Sequence, residues 1–302
     1  MKAAKSTVRS IKDSTRTTEG PTVPQCHKED QVNILAMHMV YGQTSPASSR
    51  AFWQGALRTD SPYHGRLWQD AVSMSFSSHN ILLAAALNSE EENKIKFTHL
   101  VIMHNDIVPS NGWLDVLMEE MARTNCDLLG AVTPIKDLNG LSSTAIDSDD
   151  DPFLVHRRLT MTEIHRLPET FDAADCGYPD RRLLVNTGCV LLNFTRAWHN
   201  LTNEDGTLAL NFASSDRVGR NSDGKWQAQH SPSDWFISRI VSQLGGKVMA
   251  TRKVTLRHIG ELPYTNDAPW GEWQTDKALS HKHNDVHVGN EQMTSGVCIE
   301  VE

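Results

Sequence analysis

The chain begins and ends on polar stretches and carries its apolar residues in blocks between them. The first block, VNILAMHMV at 32–40, is apolar at nearly every position. A short continuous run of this kind predicts a strand buried on both faces. It ends in the turn-forming loop YGQTSPASS. A helix is expected from about Arg50 to Arg58. A second is expected from about His79 to Asn88, with apolar Ile81, Leu82, Ala85 and Ala86. Residues 99–103 read as the next strand, inside FTHLVIMHNDIVPSNGW. NGWLDVLMEEMARTN predicts an amphipathic helix, with Trp113, Val116, Leu117, Met118 and Met121 on or near one face. DLLGAVTPI reads as a third strand. Strands that alternate with helices predict an α/β fold with a mostly parallel sheet. Ligands of such sheets bind beyond the carboxyl ends of the strands. His104, Asn105 and Asp106 stand at such an end.

From Asp137 to Arg182 the periodicity fades, and DSDDDP at 147–152 reads as a solvated acidic loop rather than a metal site. LLVNTGCVLLNFTRAW at 183–198 reads as a strand containing Thr187 and Gly188, then a short helix. The region 203–230 is polar and rich in loop formers. SPSDWFISRIVSQLGGK reads as a helix with Ser231 as N-cap, Pro232 at its first position, and Gly245 and Gly246 at its end. VMATRKVTLRHIG at 248–260 is a late strand or hairpin. The expected organisation is a flexible arm at 1–30, one catalytic domain at 31–265 with halves 31–136 and 137–265, and an extension at 266–302.

Composition narrows the function. The chain has 302 residues and a formal net charge of −8, so a core of good size is expected and a global electrostatic grip on nucleic acid is not. Five cysteines without a CxxC pair suggest neither a disulfide framework nor a zinc knuckle, and a reducing cytoplasm fits. The basic N-terminus has no apolar core, so it is no secretory signal; a transit peptide is the alternative. No stretch approaches the ~20 apolar residues of a membrane span.

Asp106 at a strand end is a hard oxygen ligand for Mg2+ or Mn2+, and equally a turn residue in the turn-rich NDIVPSNG. His104 would share its side by strand alternation, with a packed histidine as the plain reading. Ser231 and Asp234 fit a capping pair, which by local sequence outweighs a general base. His258 follows an apolar strand and reads as structural when taken alone. His281, His283 and His287 form only a loose cluster, and Gly42 is a weak signal for close ligand approach.

In order, MVYGQ at 39–43, SSHN at 77–80, THLVIMHNDIVP at 98–109, NTGCVLL at 186–192, SPSDWF at 231–236 and RHIGE at 257–261 resemble the motif series of GT-A glycosyltransferases. The likeness is to compact soluble bacterial and phage members and spans about 32 to 265. It implies a Rossmann-like central sheet flanked by helices, with a small antiparallel element on the acceptor side. The half 31–136 would then bind a nucleotide sugar and 137–265 the acceptor. The resemblance places Asp106 at the second acidic position of the metal-binding DxD motif and His258 at the histidine that completes the coordination of Mn2+ or Mg2+. Asp234 matches the general base of inverting members. Tyr41 and Gly42 would lie beside the nucleobase and ribose, and His79 and Asn80 near the diphosphate. His104 and Asn105 fill the rest of the donor motif. Two positions depart from the family: His104 stands for the first DxD aspartate, and Ser233 for the glutamate before the base.

The resemblance implies transfer from a nucleotide sugar, UDP-sugar first, to an acceptor hydroxyl. A retaining course is also open, because the fold hosts both. Arg157, Arg158, Arg166, Arg181, Arg182, Trp270 and Trp273 mark the acceptor side. A glycan, protein or small molecule is favoured over a hydroxymethylated DNA base, given the acidity of the chain. The rival readings are an inactive sugar-nucleotide-binding module and a nucleotidyltransferase on a similar fold. The latter would need a Gly-rich, basic triphosphate cradle, and YGQTSPASSR offers little of one.

Overall fold

The structure, a computed structural model, describes residues 32–40, 45–56, 61, 63–70, 75–147, 156–196, 198–220, 224–260 and 262–271. The expected arm at 1–30, Tyr41, Gly42, the acidic stretch 148–152, Trp273 and the three tail histidines lie outside the described residues.

The first half follows the apolar blocks. Strand β1 (Asn33–Met39) precedes α1 (Pro46–Ala56), then β2 (His64–Asp70), α2 (Ser75–Asn93) and β3 (His99–His104). A two-residue turn leads to β4 (Ile107–Pro109), α3 (Trp113–Thr124) and β5 (Leu128–Ala131). The second half holds β6 (Leu141–Asp147), β7 (His156–Thr160), the single-turn α4 (Met161–Ile164), β8 (Thr170–Phe171), β9 (Leu183–Leu184) and β10 (Cys189–Asn193). The hairpin strands β11 (Ser215–Arg220) and β12 (Trp226–Ser231) lead into α5 (Ser233–Gln243). Last come β13 (Val248–Thr251), β14 (Leu256–Ile259) and β15 (Pro263–Thr265).

The fold is mixed α/β around a seven-stranded sheet of order β2-β1-β3-β10-β5-β13-β8. β2, β1 and β3 are parallel, as are β5 and β13, while β10 and β8 run against their neighbours. Parallel neighbours need crossovers, which α1 and α2 supply. Alternation divides the core between the two faces. Leu35, Met37, Leu100, Ile102, Leu128 and Val190 face one side with Leu82 and Ala86 of α2 and Ile237 and Val241 of α5. Ile34, Ala36, Val101, Met103, Leu129 and Leu191 face the other with Phe52 of α1 and Trp113 and Leu117 of α3. Both faces are covered, which is why VNILAMHMV is apolar almost throughout.

Several expectations change. β2 was not foreseen, since the edge strand HGRLWQD lacks an apolar run. α2 begins at Ser75 and runs to Asn93, beyond the span expected from its apolar residues. The expected strand at 183–198 is two strands, broken at Thr187 and Gly188. The segment expected as a late strand or hairpin is two strands in different sheets: β13 joins the central sheet, and β14 pairs with β4 and β15. The stretch 137–182 contains β6, β7, α4 and β8; every residue of β6 is buried, Ser142 and Thr144 included, so no alternation shows in its sequence. The N-cap of α5 is Pro232, not Ser231, and makes no side-chain cap bond. The expected glycine stop does appear there: Gly245 has φ 83° and its N–H reaches Ser242 O.

Candidate active site at the carboxyl edge of the sheet

The turn Asn105–Asp106 is held from three sides. His104 N–H donates to Gly188 O at 2.9 Å, Asn105 N–H to Met39 O at 2.9 Å, and Ile259 N–H to Asp106 O at 2.7 Å. Asp106 is therefore anchored by β1, by the segment before β10, and by β14. Its Oδ2 accepts Lys136 Nζ at 2.5 Å and lies 3.3 Å from His258 Nε2. Its Oδ1 is buried and has no partner among the described residues. Burial pushes this carboxyl up, but the hydrogen bond and charge of His258 and the bond to Lys136 outweigh it. The group is held well below the usual carboxylate range.

His258 Nδ1 sits 2.7 Å from Pro134 O, so that nitrogen carries a proton and donates. Its Nε2 then faces Oδ2 either as a second N–H of an imidazolium or as a lone pair. A lone pair against a carboxylate calls for a cation between them. A ring nitrogen that donates to a carbonyl while the other faces a carboxylate is also how histidine is aimed at a metal. The donor set of Asp106 and His258 thus fits a divalent ion, with the unpartnered Oδ1 as a further oxygen. It is a partial set: among the described residues no group of three or more His, Cys, Asp or Glu is placed to hold a metal.

Asp234 lies in the first turn of α5 and does not act as a cap. Its Oδ1 accepts from Thr187 Oγ1 at 2.5 Å and its Oδ2 from Asn186 Nδ2 at 2.6 Å. The Asn186 amide is fixed in turn, because its Oδ1 accepts the Gly188 N–H at 2.6 Å. A Cβ at Gly188 would come to 2.5 Å from that oxygen, so any larger residue there would displace the amide. Arg158 lies over the Trp235 ring at 4.4 Å, with its Nε buried and unpartnered among the described residues. Burial lowers the Arg158 pKa to about 10, against the opposing charges of Asp234 and Asp137.

Histidines layer the floor. His104 Nε2 is 3.1 Å from Thr187 Oγ1. His79 is fully buried, stacks on Phe212 at 4.6 Å, and lies 5.9 Å from the His104 ring. Burial, then the nearby His104, lowers its pKa to about 3. A neutral ring in the core is not a cation at an open diphosphate site, so the structure places His79 under the site rather than in it. Asn80 binds Phe212 at both ends of its amide, 2.6 Å to the carbonyl and 2.8 Å from the N–H, which positions that chain segment.

The structure thus brings His104, Asp106, Asp234 and His258 together at one edge. Sequence reasoning missed Lys136, Asn186 and Thr187 as members of the site, and set Arg158 only on the acceptor side. Asn186 and Thr187 had a signal, the NTG motif, and no role was drawn from it. Of the arginines expected on the acceptor side, Arg157 pairs with Glu163 at 2.8 Å, and Arg182 joins Arg239 on the buried Asp147.

No protein-family model matches the sequence, and no curated protein matches it either. Among solved structures, the chain is similar to GalNAc-T7 with UDP, GalNAc and Mn2+, at 12% identity and a TM-score of 0.43. The likeness covers 87% of this chain and 48% of that one, so the chain spans about half the length of that protein. Likeness at this level does not by itself establish a shared fold. Among the described residues no helix is long and apolar enough to cross a membrane.

Proposed function

We propose that the chain is a GT-A type glycosyltransferase that moves a sugar from a nucleotide sugar, UDP-sugar first, to an acceptor hydroxyl with inversion. The observation that carries this reading is the pair of carboxylates at one sheet edge with opposite surroundings. Asp106 faces a lysine and a histidine and is suited to hold charge. Asp234 faces only neutral donors at hydrogen-bond distance and keeps a lone pair for a proton. Two carboxylates set apart by environment take two roles.

Asp106 and His258 would hold Mn2+ or Mg2+, which when bound neutralises the charge on a departing diphosphate. Asp234 takes the acceptor's hydroxyl proton while that oxygen bonds to the anomeric carbon. The bond from that carbon to the diphosphate oxygen breaks, and the diphosphate keeps the electron pair. Tyr41 and Gly42, outside the described residues, are assigned to the nucleobase and ribose by resemblance. His104 and Asn105 flank the donor. A glycan, protein or small molecule is the favoured acceptor, over a hydroxymethylated DNA base. A cytoplasmic location belongs to the same reading.

The second reading is a binding module that holds a sugar nucleotide without transfer. It is favoured by Lys136, whose ammonium already sits on Asp106. A thermal-shift panel of UDP-glucose, UDP-GlcNAc, UDP-galactose, GDP-mannose and TDP-glucose, each with and without Mn2+, tests the donor. A shift that needs one sugar nucleotide and metal together, followed by slow release of nucleotide, supports transfer. A shift without turnover supports the module, and no shift with any pair removes both.

A further inference from the structure

Thr187 stands between the two halves of this site. Its side chain is fully buried. Its one hydroxyl lies 2.5 Å from Asp234 Oδ1 and 3.1 Å from His104 Nε2. A hydroxyl has a single proton. Asp234 as a carboxylate only accepts, so the proton goes to Asp234. The hydroxyl oxygen then accepts, and His104 must donate to it from Nε2. In a neutral imidazole this leaves Nδ1 with the lone pair. Nδ1 has no partner among the described residues and belongs to a half-buried side chain at the donor edge.

The groups around the pair are held by further bonds. His104 is faced by His38 of β1, by His79 of α2 and by Asp106 after β3. Its backbone is pinned by Gly188 O and by the Ser48 hydroxyl, which donates to His104 O at 3.2 Å. Asp234 is faced by Asn186, Thr187 and, at longer range, Arg158 of β7. The Asn186 amide cannot turn over without losing its bond to Gly188 N–H. Both Asp234 oxygens are therefore aimed by donors whose own orientation is fixed.

We propose that Thr187 is a positioning residue that couples the two halves: it aims the Asp234 carboxylate and holds His104 as the Nε2–H tautomer, which leaves the lone pair on Nδ1. This deepens the reading of Asp234 as base and rests on it for its effect on rate. The tautomer is a property of the free protein and does not depend on that reading.

The test uses the full chain, Thr187→Val and Thr187→Ser. Nitrogen-15 NMR of the histidine rings reads the tautomer in the free protein. UDP release from UDP-glucose with Mn2+ reads kcat and KM. The expected result is an Nε2–H His104 in the parent and in Thr187→Ser, lost in Thr187→Val. In the valine variant kcat falls on the order of 10- to 100-fold while KM for the donor changes little, as for a misaimed group. Serine restores both readouts, which a mere packing role would not predict. An Nδ1–H His104 in the parent overturns the proposal even if the valine variant does not fold. So does a Thr187→Val protein with unchanged tautomer and kcat. Asp234→Asn separates the two claims. If it loses turnover while Thr187→Val does not, the base reading stands and Thr187 leaves it. If it keeps full turnover the base reading fails, and the tautomer alone decides whether Thr187 sets His104.

Discussion

Asp106 and Asp234 end up at the same edge of one sheet, yet they are held by different means. Asp106 is held by the Lys136 ammonium at 2.5 Å, with His258 Nε2 3.3 Å away, both from outside the central sheet. Asp234 is held by neutral donors, Thr187 and Asn186, from the turn that feeds β10. The difference teaches how one fold separates two carboxylic acids. Cationic partners favour the charged form and suit a group that binds cations. Neutral donors fix the direction in which a carboxylate points without placing a full charge at hydrogen-bond distance.

The comparison breaks most directly at Asp106. Asp106→Ala is expected to abolish the Mn2+-dependent rise in melting temperature with a sugar nucleotide. Full metal-dependent binding in that variant would sink the assignment. Asp234→Asn should leave that rise intact and cut turnover by roughly 10²- to 10⁴-fold, the usual worth of a general base. Near-normal kcat would make Asp234 a structural group. His258→Ala should weaken Mn2+, titrated by electron paramagnetic resonance, by at least the roughly 10-fold that loss of an outer-shell partner costs. An unchanged affinity removes His258 from the metal side.

Gly188→Ala sharpens the Asp234 side. Its Cβ would meet Asn186 Oδ1 at 2.5 Å and Ile107 Cγ1 at 3.3 Å. A loss of roughly 1–3 kcal/mol in urea unfolding is expected, as for overpacking. Turnover should fall with the displaced amide while Mn2+ binding at Asp106 holds.

The smallest effect is on pH. Burial, first of all, lowers His38 and His99 to about 4 and His79 to about 3, below the ordinary 6.5. As pH falls below 6.5 the unfolded chain takes up protons that the folded chain refuses. Stability is therefore full above 6.5 and declines as pH drops toward 4. The urea midpoint should be lower at pH 5 than at pH 7. His79→Phe, which can keep the stack on Phe212, should make that difference smaller.

Much of the fold was legible because it is built from local repeats. VNILAMHMV, the LVIM run of β3 and the amphipathic α3 carry their periodicities in plain order. Where burial and polarity part company, legibility fails: β6 buries Ser142 and Thr144, and β2 is polar at an edge. In the site, Asp106 and His258 stood out through motif order, but their meeting across 152 positions did not. Lys136, in TPIKD, has no local mark at all.

The sequence by itself determined that apolar runs of strand length alternate with helices, and that polar side chains interrupt them at strand ends. Hydrophobic period is a property of neighbours along the chain, so it can be read there. Only the tertiary structure decided that β10 inserts antiparallel between β3 and β5. That insertion brings the Thr187 hydroxyl to His104, 83 positions away, and to Asp234, 47 positions on. It turned a presumptive helix cap into an aimed carboxylate. Hydrogen-bond partners are chosen by distance in space, and nothing in the local order of residues encodes which strand will lie between two others.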